Sequence, residues 1–167
     1  TEVSTNGRIG LACRVNGADI VREVPTSRVL SDFLREDLAL TGTKPACGRT
    51  VCGACTVLID GVPRAACSTF AFEAEGRSVT TIEGLEEGNT LDPVQAAFAR
   101  KSAFQCGFCT AGIILLAKGL LAEHPRPTRA QVTEWISSNI CRCTGYALIV
   151  EAVMDAADEM AQQEAAQ

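Results

Sequence analysis

Residues 44–57 read KPACGRTVCGACTV, and the reading of this stretch decides that of the rest of the chain. Cys47, Cys52 and Cys55 stand at C-x4-C-x2-C, and Cys67 follows as a fourth thiol beyond a short hairpin. Plant-type [2Fe–2S] loops use this spacing, with one loop wrapped around the cluster and a returning strand bringing the last ligand. Gly48 and Gly53 sit beside ligand positions, where a missing Cβ lets backbone N–H groups turn toward inorganic sulfur. A disulfide staple, a zinc site and buried cysteines acting as small hydrophobes compete with this reading. Three thiols within one small loop make awkward disulfide partners, and structural zinc more often takes two separated pairs than three plus one. The cluster is the preferred reading.

Working outward, 167 residues make one ordinary domain or two small ones. A formal net charge of -5, with no basic patch interleaved with aromatics, gives a nucleic-acid role no support. Nine cysteines, an odd number without a signal peptide, argue for metal ligation in a reducing compartment such as the cytoplasm rather than a secreted disulfide framework. The start, TEVSTNGRIG, has neither a basic n-region nor an apolar h-region. The longest apolar run, residues 111–116, is too short to cross a bilayer, so no membrane insertion is expected.

Residues 9–15 alternate as a strand, Asn16-Gly17 signals a tight turn, and 19–24 supply the returning strand. Cys13 falls on the inward face with Leu11 and Val15 and is read as core. Residues 28–37 predict a helix capped by Thr26 or Ser27, with Val29, Leu30, Phe33, Leu34 and Leu38 as its apolar stripe. Residues 40–50 predict loop. Residues 55–59 and 62–67 predict a second hairpin about Asp60-Gly61, and 79–82 one more strand. A small mixed sheet packed on one helix is expected.

The stretch GLEEGNT, residues 84–90, marks a boundary beyond which the apolar period changes from 2 to 3.6. Helices are predicted over 93–103, 110–121, a third opened by the capping box Thr128-x-x-Gln131, and 146–161. Cys106 and Cys109 lie between the first two, and Cys141 and Cys143 between the last two. Antiparallel packing would bring both joints to one end and close a four-thiolate pocket. By spacing alone, C-x2-C with C-x-C suits zinc nearly as well as iron–sulfur. His124, the single histidine, falls at a helix end before Pro125 and reads as a C-terminal cap rather than a catalyst. There is no internal repeat, no G-x-G-x-x-G and no P-loop.

Four motifs in order, CGACTV at 52–57, TTIEGL at 80–85, QCGFCT at 105–110 and CRCTGY at 141–146, resemble the iron–sulfur subunit of the xanthine oxidase family of molybdenum hydroxylases. The resemblance covers about residues 8–160. It implies an α+β chain with a plant-ferredoxin-like (β-grasp) domain over 1–86 and a helical bundle domain over 87–167. It assigns one [2Fe–2S] cluster to Cys47, Cys52, Cys55 and Cys67 and a second to Cys106, Cys109, Cys141 and Cys143. It also places Gln105 and Cys143 beside the pterin of a large molybdopterin-binding partner, and the first cluster nearer a medium FAD-binding partner. Molybdopterin cytosine dinucleotide with molybdenum, and FAD, belong to those partners, in a dimer of heterotrimers. The chain departs from the family at Ala46, Gly48 and Thr50, at Ala111, and at Ser138-Asn139. Thr50 stands where the family has a glycine, the residue that adopts φ > 0 most readily.

No substrate chemistry is visible on the chain beyond redox. The leading expectation is an electron-transfer subunit of an enzyme that hydroxylates an N-heteroaromatic such as quinoline. Aryl-CoA reductases and aldehyde or carbon monoxide dehydrogenases are the alternatives within the family. A free-standing ferredoxin and a zinc-stabilised adaptor are the alternatives outside it. A mobile ferredoxin needs one cluster domain only, so the helical half argues for a fixed complex.

Overall fold

The structure is a computed structural model that describes residues 7–86 and 88–165. The expectation for the chain's start, and the outer limits of both expected domains, fall outside the described residues.

Strands β1 (Arg8–Val15) and β2 (Ala18–Pro25) pair antiparallel, with Val15 opposite Ala18. Asn16 and Gly17 both take positive φ, 49° and 82°, which is the type I′ geometry that matches the twist of a two-residue hairpin. Leu11, Cys13 and Val15 are buried, as the alternation predicts. Strands β3 (Thr56–Ile59) and β4 (Val62–Ala65) form the second hairpin about Asp60-Gly61, again with two positive φ values. Cys67 lies two residues past β4 rather than within the strand. β5 (Ser78–Thr80) is shorter than expected because Ile82 turns away into a 3-10 turn, Ile82–Gly84. The sheet runs β2-β1-β5-β3-β4, with β1 and β5 parallel and the other pairs antiparallel.

Helix α1 (Leu30–Asp32) continues as a π-helical segment, Phe33–Asp37. Its start corrects the expected one: Val29 is the N-cap, without a side-chain hydrogen bond, and neither Thr26 nor Ser27 caps. The free N–H groups find backbone partners from the chain beyond β4. Leu30 N–H donates to Thr69 C=O at 2.7 Å and Ser31 N–H to Ala66 C=O at 3.0 Å. Leu30, Phe33 and Leu34 then fill one face of the sheet core with Val24, Val57 and Val79.

The second core belongs to four helices: α2 (Pro93–Arg100), α3 (Thr110–Glu123), α4 (Arg129–Ile136) and α5 (Ala147–Ala165). Asp92 caps α2 by accepting from Val94 N–H, and Thr128 with Gln131 forms the expected box ahead of α4. α2 ends three residues early because Ser102 takes φ 51° and turns the chain, although Ala103 is still buried. α3 and α5 run two and four residues past their expected ends. α3 is buried on nearly every side because α2, α4 and β3 all pack against it. Val94, Phe98, Ile113, Leu120, Val132, Ile136, Ile149 and Val153 make up this core, and Ile82 and Leu85 join it from before the expected boundary. His124 is the C-cap of α3, its N–H donating to Leu120 C=O. Among the described residues no helix is long and apolar enough to cross a membrane.

Candidate metal centres

The loop from α1 to β3 is pinned before it reaches its cysteines. Arg35 donates to the carbonyls of Thr41 and Thr43 at 2.6 and 3.0 Å, and Glu83 accepts from Gly42 N–H at 2.7 Å. Beyond that clamp, Gly48, Thr50 and Gly53 all have positive φ, 63°, 58° and 68°. These left-handed steps fold the loop around Cys47, whose sulfur accepts N–H groups from Arg49 at 3.5 Å and Val51 at 3.4 Å. Gly48 therefore serves the turn foreseen for it. Gly53 also has a positive φ, but its space is claimed from outside the loop: a Cβ there would lie 1.5 Å from Asn139 Oδ1.

The eight cysteines singled out by spacing gather as four in each half. In the first half Cys47 neighbours Cys52, and Cys55 neighbours both Cys67 and Cys52. In the helical half Cys109 pairs with Cys141, while the sulfurs of Cys106 and Cys143 are 3.6 Å apart. A tetrahedral metal with sulfur at about 2.3 Å keeps its ligand sulfurs roughly 3.8 Å apart, so the Cys106–Cys143 spacing suits two ligands of one iron. Four thiols in each half match the ligand number of a two-iron cluster. Cys13 stays apart, in the sheet core.

In each half one pair is deeper than the other. Cys55 and Cys67 are buried behind half-buried Cys47 and Cys52; Cys109 is buried and Cys141 half-buried behind exposed Cys106 and Cys143. Burial, with Cys67 beside it, pushes the Cys55 thiol up to about 12, and burial with Cys141 does the same for Cys109. The N–H groups of Arg49, Cys52 and Val51 hold Cys47 down to about 6. Burial thus disfavours the thiolate at the deep thiol of each half, and N–H donors favour it at the outer Cys47.

The joint between α4 and α5 is fastened by residues the spacing argument did not single out. Tyr146 hydroxyl donates to Asn139 C=O at 3.0 Å and accepts from Cys141 N–H at 2.7 Å. The Thr144 hydroxyl lies 3.2 Å from Cys141 Sγ. Ile140 N–H donates to Cys52 C=O at 2.9 Å, which ties the two cysteine loops together directly. α3 closes on the same place, since a Cβ on Gly112 would lie 2.4 Å from Gly53 O. A recess of about 180 Å³ between the two sites is lined by Cys52, Ala54, Cys106, Phe108, Ile140 and Cys141 among others. Asn-Gly-type turn signals were legible in the sequence, but a contact between positions 53 and 139 has no local signal. Gln105 is exposed beside exposed Cys106, and Phe104, Phe108 and Ile140 around the same cysteines are also exposed.

Two family models match the chain: a "2Fe-2S iron-sulfur cluster binding domain" over residues 34–102 and a "[2Fe-2S] binding domain" over residues 81–154. The chain is 47% identical to the nicotine 6-hydroxylase small subunit of Paenarthrobacter nicotinovorans, over 93% of this chain and 94% of that one. It is 42% identical to the nicotinate dehydrogenase small FeS subunit of Eubacterium barkeri, over 92% and 98% of the two chains. Among solved structures, a chain of quinoline 2-oxidoreductase from Pseudomonas putida 86 superposes with TM-score 0.90 at 46% identity, covering 94% of this chain and 98% of that one.

Proposed function

This chain belongs to the iron–sulfur small subunits of the molybdenum hydroxylases, and we propose that its two groups of four cysteines hold two [2Fe–2S] clusters and relay electrons between partner subunits. The gathering of four cysteines in each half supports the ligand assignment. Cys47, Cys52, Cys55 and Cys67 hold the first cluster; Cys106, Cys109, Cys141 and Cys143 hold the second. Bound clusters supply one-electron carriers, low in potential when all ligands are thiolates. The chain's own part is to fix both sites against one another, keep the inner thiols dry, and present the outer thiols to partners.

In this reading residues 1–86 form a plant-ferredoxin-like β-grasp domain and 87–167 a four-helix bundle domain. The exposed rim of Gln105, Cys106 and Cys143, with apolar Phe104 and Phe108, meets the large subunit that carries molybdopterin cytosine dinucleotide. A medium subunit carries FAD, and the assembly is a dimer of heterotrimers in the cytoplasm. The substrate class is an N-heteroaromatic ring, which receives a water-derived oxygen. Relatives named for nicotine, nicotinate and quinoline support that class.

Iron and acid-labile sulfide analysis tests the assignment. The full chain should carry about four of each, in keeping with two two-iron clusters. Cys13→Ala should leave both values unchanged, and Cys52→Ala should halve them. Full iron in the Cys52 variant, or colourless protein with zinc, would overturn the proposal.

A further inference from the structure

The side chain of Asn139 belongs to one cysteine loop and lies on the other. Its residue is two positions before Cys141, yet its side chain sits over Gly53, between Cys52 and Cys55, with Oδ1 nearest the position of a Cβ and Nδ2 beyond it. It is 2% exposed, the one asparagine among the buried polar residues, and its Nδ2 has no hydrogen-bond partner among the described residues. A buried N–H without an acceptor is unfavourable, so the position calls for one. Two nearby carbonyls have donors of their own. Gly53 C=O accepts from Thr56 N–H and Oγ1, and Cys52 C=O accepts from Ile140 N–H. The backbone of Asn139 is held from the far side by Tyr146 hydroxyl, so the side chain cannot withdraw with its loop. The donor is thus buried beside Gly53, between two cysteines of the first centre, without an acceptor among the described residues.

We infer that Asn139 is a positioning residue that reaches from the second cysteine loop to donate an N–H···S hydrogen bond to the first centre, making the first centre's potential depend on the second loop. This rests on the proposal that Cys47, Cys52, Cys55 and Cys67 hold a two-iron cluster. A donor to sulfur favours the reduced, more negative cluster, so its loss lowers the potential. Gly53 is the complementary half of the device, since any Cβ there would displace the amide.

The test is a potentiometric titration followed by EPR on the cluster-loaded full chain, with Asn139→Leu and Asn139→Asp beside the wild type. Signals are assigned to the two centres with Cys52→Ala and Cys106→Ser. Both Asn139 variants should shift the first centre to more negative potential, by about tenfold in its reduction equilibrium, or about 59 mV for one electron. The Asp variant should shift it at least as far as the Leu variant, and the second centre should move less than the first. Selective loss of iron from the first centre in both variants would also support the inference, because the substitution lies in the other loop. Unmoved potentials with full iron, or loss confined to the second centre, would overturn it. A wild-type chain without four irons would instead sink the cluster proposal itself.

Discussion

Thr50 holds a backbone conformation that its side chain disfavours. At φ 58° a β-branched residue crowds its own carbonyl, at about 1–2 kcal/mol. The sequence made this legible in advance, because Thr50 stands where the family resemblance puts glycine. Gly48, two residues upstream, does not relieve the strain, since it adopts its own positive φ of 63°. Both steps are needed for Arg49 and Val51 to aim their N–H groups at Cys47. Thr50→Gly should therefore stabilise the full chain, by about 1 kcal/mol after allowing for the added freedom of the unfolded state. Urea unfolding of both proteins gives the comparison. A lower midpoint for the glycine variant would mean that the threonine side chain makes a contribution larger than the strain.

At the scale of elements, α3 is where helix propensity and packing disagree. Alanine in place of Gly112 would favour the helix by about 1 kcal/mol. The added Cβ would, however, lie 2.4 Å from Gly53 O and 3.1 Å from Ala54 C, and backbone atoms cannot swing aside as a long side chain can. Overpacking of this kind costs about 1–3 kcal/mol, so Gly112→Ala should lower stability and disturb the first cysteine loop. A thermal midpoint above that of the wild type would show the loop to be softer than its contacts imply. The same disagreement marks how far the sequence could be read. Elements with local signals were legible: both I′ hairpins, the Thr128–Gln131 box, the continuous apolar run of α3 and all eight gathered cysteines. What stayed hidden depends on chain brought from elsewhere. The start of α1 is set by carbonyls of Ala66 and Thr69, and the end of β5 by the turn at Ile82. The seat of Asn139 on Gly53 joins residues 86 positions apart, where no pattern in either segment announces the other.

Across the whole molecule, the sheet half and the helical half have separate cores but a shared wall between their cysteine loops. Cys52 C=O takes the N–H of Ile140, Asn139 covers Gly53, and Gly112 abuts the same residue. Each cysteine loop is thus part of the wall of the other. Loss of the second centre should then be felt in the first loop, rather than staying within the helices it cross-links. Cys106→Ser, which removes one member of the outer pair with Cys143, provides the measurement. Amide exchange in that variant should quicken over residues 137–146 and also over 47–55. The Ile140 N–H should exchange about tenfold faster or more, equivalent to about 1.4 kcal/mol of local stability. The β1–β2 hairpin, which contributes nothing to the shared wall, should keep its protection. If the 47–55 amides exchange as in the wild type while 137–146 opens, the two centres are held independently. The contacts between their loops would then be packing without mechanical consequence.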